Sequence, residues 1–143
     1  MYFINHEQID ERIQFLNTLA EASQQLEAQW IQGKSDLTWQ LAQERVLHLA
    51  IETVTDVGSL LIDAFILRDA SSYEDIVEIV HGEGAYSESL TETLLQLVKL
   101  RKPLVQDFVD WNRQTLHPII QKLPAAFEEF ASSVRAFIKS ELA

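Results

Sequence analysis

Apolar side chains recur at intervals of three and four along almost the whole chain, the spacing of one helical face. In the first stretch, from about His6 to Ile31, Ile9, Ile13, Leu16 and Ala20 share a stripe that continues through Leu26 and Trp30. Gly33 and Ser35 then supply a stop for one helix and a cap for the next. A second stretch, from about Leu37 to Leu67, contains one glycine, Gly58, and no proline. Its apolar face carries Val46, Leu49, Ala50, Thr53, Val57, Leu60, Leu61 and Ala64. A helix of that length spans roughly 45 Å, longer than most globular helices. A short third helix is predicted from the capping-box pattern Ser71-Ser72-Tyr73-Glu74, with Glu74 reaching back to the cap, and Gly82 and Gly84 end it. The fourth begins near Ser87, turns Leu90, Leu94, Leu97, Val98 and Leu100 inward, and runs into RKPLVQDFVDW. There Pro103 removes the amide that would bond the Lys99 carbonyl, which predicts a bend. A last helical segment covers about Thr115 to Leu142, interrupted at Pro124. No alternating run is long enough for a strand and no repeat is present. The pattern predicts an all-α, four- to five-helix up-and-down bundle in a single domain, residues 1–143.

Composition sharpens that picture. At 143 residues and 47% hydrophobic the chain can bury a real core. With 4 glycines and 3 prolines it is neither a disordered linker nor a loop-rich β protein. The absence of cysteine removes disulfides, thiolate nucleophiles and cysteine-ligated zinc, as a reducing cytoplasm permits, so a cytoplasmic location is expected. The start, MYFINHEQIDER, has no signal-peptide pattern, and the apolar run GSLLIDAFIL is broken by Asp63, so no membrane partner is expected.

Charge is the more informative quantity. The formal net charge of -11, from 22 acidic and 11 basic residues, argues against sequence-independent binding to nucleic acid or anionic lipid. The deficit is uneven: residues 1–98 hold 17 acidic and 4 basic side chains, residues 99–143 hold 5 and 7. Lys99, Arg101 and Lys102 place three cations in four positions. They either complement a helix dipole or form a small anion site on an otherwise repulsive surface. Any contact with a phosphate chain is thereby confined to one place.

Candidate chemistry is sparse. Glu44, His48, Glu52 and Asp56 recur every four residues and fall near one helical face. They fit either a metal-binding carboxylate bundle or a polar stripe with pairs such as Glu44 to Arg45 and His48. A dinuclear site of the ferritin type needs Glu-x-x-His from two helices, and the chain has that spacing only at Glu78 and His81, so no metal and no cofactor are expected. There is no glycine-rich phosphate loop and no nucleophile elbow. His6, His81 and His117 each fall at a helix end or in a loop.

The block QERVLHLAIETVTDVGSLLIDAFILRDASSYEDIVEIV, followed by LVKLRKPLVQDF, resembles the HepT-like branch of the HEPN domain proteins. The resemblance implies a helical bundle that forms a homodimer. It also implies a cleft at the dimer interface where a motif of Arg, four to six residues, then His cleaves RNA without metal. Many such proteins are toxins paired with a minimal nucleotidyltransferase antitoxin, and in one subgroup a Tyr two residues after the His receives AMP groups. Arg101 matches the motif Arg, Gln106 falls at the His, and Phe108 falls at the Tyr. An amide cannot titrate near neutral pH as an imidazole does, and acid–base catalysis is worth about 10²–10⁴ in rate. Gln106 therefore predicts weak or lost cleavage, while its hydrogen-bonding groups keep binding of phosphate or base open. Phe108 has no hydroxyl to modify. Lys99, Arg101 and Lys102 are the expected nucleic-acid- or nucleotide-binding residues, and His48 and His117 are candidates to replace the missing imidazole. Arg101 is expected either on a phosphate or in an ion pair with Asp107 or a carboxylate of the second helix. The leading expectation is a dimeric RNA- or nucleotide-binding or partner-binding protein. An active divergent ribonuclease toxin and a metal-binding bundle are the alternatives.

Overall fold

The structure, a computed structural model, describes residues 2–143. Helix α1 spans His6–Ile31, α2 Leu37–Ala64, α3 Tyr73–Gly82, α4 Glu88–Val98 and α6 Ile119–Leu142; α5 is the short turn Arg101–Val105, followed by a 3-10 turn at Phe108–Asp110. Among the described residues there is no strand. Five substantial helices thus form the all-α bundle that the periodicity predicts.

Helix α2 is its axis. It packs on α1, α3, α4 and α5, while α6 closes against α1 and α4. The position follows from composition, because Leu47, Ala50, Ile51, Val57 and Leu61 of α2 are completely buried. Ile9 and Leu16 of α1, Leu97 of α4 and Ile120 and Phe130 of α6 fill the space around them. Close approach of α3 depends on Gly58: a Cβ there would lie 2.5 Å from Ile76 Cγ2. Side-chain caps begin four helices, with Asn5, Asp36, Ser72 and Ser87 each accepting from an amide three residues on.

Several boundaries differ from the sequence expectation. Helix α2 ends at Ala64 rather than Leu67, because Ile66 turns left-handed at φ 54° and Leu67 closes back on the Ile62 carbonyl. The capping box of α3 is Ser72 with Asp75, one position later than expected; Asp75, not Glu74, reaches back, to the Ser71 amide at 2.9 Å. Arg68 grips the same carboxylate at 2.7 Å through each oxygen and holds it well below the usual carboxylate range. The chain bends after Val98, so Pro103 lies in the first turn of α5, where its missing amide has no helical partner to lose. The last helix starts at Ile119, leaving Thr115–Pro118 in a loop, and it runs through Pro124 without interruption.

Candidate functional site

The carboxylate stripe of α2 is a ladder of ion pairs. Glu44 accepts two hydrogen bonds from Arg113, at 2.9 and 3.2 Å, and Asp56 accepts one from Arg12 of α1 at 3.3 Å. Arg113 also donates to the Phe108 carbonyl at 2.8 Å, and the Glu44 contact raises its pKa. Between these rungs, Glu52 faces Arg101 at 3.8 Å and His48 at 3.5 Å. These pairings replace the expected links of Glu44 to Arg45 and His48. Each of these carboxylates faces an arginine, and among the described residues no group of three or more His, Asp or Glu side chains is placed to hold a metal ion.

Glu52 is the meeting point of three elements. Tyr73, the first residue of α3, donates its hydroxyl to the two Glu52 oxygens, at 3.2 and 3.3 Å. Arg101, the first residue of α5, lies with its guanidinium carbon 4.2 Å from the centre of the Tyr73 ring, a cation–π contact. His48 Nε2 and Arg101 Nε approach the same oxygen, Oε1. The Arg101 contact is an ion pair too long for a hydrogen bond, and its Nε is buried without a hydrogen-bond partner. Arg101 thus faces a carboxylate of the second helix, Glu52.

The cationic triplet is split. Lys99 and Lys102 are exposed and, among the described residues, unpaired with a carboxylate, whereas Arg101 turns inward under them. Gln106 is exposed at the end of α5, its amide bonded to the Lys102 carbonyl. Phe108 is 53% and Val109 77% exposed in the turn beyond it, leaving an apolar edge beside the cluster. A hollow of about 280 Å³, lined by Glu11, Phe15, Leu49 and Thr53 among others, opens against Glu52. The larger groove between α1 and α6, about 510 Å³, includes Glu128 and Arg135 but no histidine, and lies away from this chemistry.

His117 is held elsewhere. Its Nδ1 accepts from the Ile119 amide at 3.1 Å, its backbone amide donates to Gln43 Oε1 at 2.7 Å, and its ring stacks on Trp111. Partial burial lowers its pKa. Of the two candidate replacements, only His48 shares a carboxylate with Arg101. Sequence reasoning missed Tyr73 as part of the cluster: its contacts with Glu52 and Arg101 span 21 and 28 positions, and no local spacing signals them.

Residues 7–134 match the family model described as Ribonuclease HepT-like. A Bacillus subtilis (strain 168) protein described as "Putative RNase YutE" is 32% identical over 147 residues, covering 99% of this chain and 95% of that protein. The solved structure of Bacillus subtilis YutE, described as a cytosolic protein of unknown function, is similar with a TM-score of 0.85 and 30% identity, covering 99% of this chain and 96% of that one. A tri-AMPylated Shewanella oneidensis HEPN toxin, solved in complex with an MNT antitoxin, has a TM-score of 0.80 at 21% identity, over 92% of this chain and 98% of that one. At that identity the last likeness concerns the fold.

Proposed function

The chain belongs to the ribonuclease HepT-like family, and on that premise we propose that it is a cytoplasmic homodimer that binds RNA or a nucleotide at Arg101 and lacks the motif-histidine step of RNA cleavage. The observation that carries this reading is the pairing of a retained Arg101, seated on Glu52 and Tyr73, with an exposed Gln106 at the motif His position. A guanidinium fork suits a phosphate, and Lys99 and Lys102 add exposed charge beside it. Gln106 can hydrogen-bond a ligand but cannot carry a proton between atoms. The exposed Phe108 and Val109 give a second copy of the chain an apolar edge to cover.

A nucleotidyltransferase partner fits the same reading, since structural relatives are toxins solved with such antitoxins. AMP transfer at position 108 is closed, because Phe108 offers no oxygen.

Binding of a labelled single-stranded RNA oligonucleotide, measured with sedimentation to follow the dimer, tests the proposal. Wild type is expected to bind as a dimer, Arg101→Ala to lose binding, and Gln106→His to gain cleavage. RNA cleavage by wild type that Gln106→Ala abolishes would overturn it, as would binding indifferent to Arg101→Ala.

A further inference from the structure

We propose that the hollow lined by Trp111 and His117 holds one base of a bound single-stranded RNA, stacked on those rings. The inference rests on the reading that RNA binds at Arg101, and it adds a contact for a base to that contact for a phosphate. The hollow measures about 280 Å³ and is lined by Trp111, Asn112, Thr115, His117 and Pro118. Pockets for drug-sized ligands run roughly 300–1,000 Å³, so this one suits a single ring system rather than a whole nucleotide. The Trp111 and His117 rings lie 17° from parallel with centroids 6.1 Å apart, an offset stack that a third ring can extend. At the rim, Asn112 donates to the Thr115 hydroxyl at 3.2 Å and keeps its amide oxygen and a second N–H for the polar edge of a base.

The fold holds this platform still. His117 is fixed at Nδ1 by the Ile119 amide and at its own amide by Gln43, and Arg113 ties the loop to Glu44. A ring already held in place loses little freedom when a base stacks on it. Two indoles meet this loop, and the fold employs them differently. Trp30 Nε1 donates to the Gln114 carbonyl at 3.1 Å, whereas Trp111 Nε1 is buried with no acceptor. Buried donors nearly always have a partner, so the value of an indole at position 111 lies in its ring and not in its N–H. The loop is also tied to the face of α2 that holds Arg101. Arg113 grips Glu44 and Arg101 faces Glu52, eight residues and roughly 12 Å farther along the helix. A single nucleotide is too short to join contacts that far apart, so the ligand is a strand. The carboxylates along its path already face arginines, which limits their repulsion of phosphate.

The test uses the full chain and three probes: a labelled uridine oligonucleotide, a strand of the same length built of abasic spacers, and UMP. Wild type is expected to bind the oligonucleotide roughly tenfold to a hundredfold more tightly than the abasic strand, the worth of one base on an aromatic platform. Trp111→Ala is expected to lose that factor toward the oligonucleotide and nothing toward the abasic strand, with the salt dependence of binding unchanged. Undiminished binding of the abasic strand also shows that this variant is folded. Trp111→Phe, which keeps a ring, is expected to retain most of the affinity. Arg101→Ala instead weakens binding of both strands and flattens the salt dependence. Equal binding of the oligonucleotide and the abasic strand by wild type overturns the inference and leaves the binding proposal standing. Binding that needs Arg101 but is indifferent to Trp111→Ala does the same, as does UMP bound as tightly as the oligonucleotide. An oligonucleotide that wild type does not bind overturns both.

Discussion

Two histidines are candidates to replace the imidazole that the family motif would place at Gln106, and their surroundings differ in kind. His48 lies on a half-open polar face, where Glu52 receives an imidazole, a guanidinium and a phenol from three elements. His117 lies in a loop that three side chains pin to the bundle: Trp30 bonds the Gln114 carbonyl, Gln43 bonds Thr115 and His117, and Arg113 grips Glu44. His48 directs a ring nitrogen to a carboxylate, whereas His117 spends its lone pair on a backbone amide. An imidazole is available for chemistry only when the structure does not need its lone pair.

The strongest way to break this contrast is to release the loop. Gln43 is completely buried and its amide satisfies both the Thr115 carbonyl, at 3.2 Å, and the His117 amide, at 2.7 Å. Gln43→Ala empties a completely buried site and leaves two partly buried backbone groups without their partner, and is expected to cost about 2–4 kcal/mol of stability, read by denaturant unfolding. Fast amide exchange at residues 115–117, with α3 and α5 protected as before, would show that the two regions are independent. Loss of the Arg101 site together with the loop would show that they are one unit.

A smaller effect is expected on the other side. In Gly58→Ala the new methyl meets Ile76 Cγ2, a stiff β-branched group, so α3 must shift, at a cost of about 1–3 kcal/mol. Since α3 begins at Tyr73, that shift is expected to weaken RNA binding at Arg101 while leaving the loop intact. Tyr73→Phe is milder still. It keeps the ring under Arg101 and removes the hydroxyl from Glu52, for about 0.5–1.5 kcal/mol in thermal unfolding.

The two regions were unequally legible in the sequence. Four-residue spacing alone put His48, Glu52 and Asp56 on one face of α2, and the motif singled out Arg101. Helix periodicity carries such information because it is local. What it could not carry was the partner of each charge: Arg12, Arg101 and Arg113 come from 44, 49 and 69 positions away. The ends of helices were legible only within a few residues. Nothing in the pattern announces that Ile66, a β-branched residue, takes a left-handed turn, or that Asp75 displaces Glu74 as the capping acid.

The finest difference between the two histidines concerns protons. Partial burial lowers the pKa of His117 below its ordinary value near 6.5, and a proton on Nδ1 would also break the bond from the Ile119 amide. The unfolded chain therefore binds this proton at a higher pH than the folded one. Stability is complete above about pH 6.5 and falls as the pH drops from there toward the lower folded value, because the unfolded state takes up the greater share of the proton. In His117→Asn the amide oxygen stands in for Nδ1 as acceptor but does not titrate. Unfolding free energies between pH 7 and 5 are expected to decline for wild type and to flatten for the variant, while below about pH 4 both lose stability as Asp75, held low by Arg68, is protonated in the unfolded state first. An equal decline in both proteins above pH 5 would place the titrating group outside the loop, and the contrast between a locked and an available imidazole would fall with it.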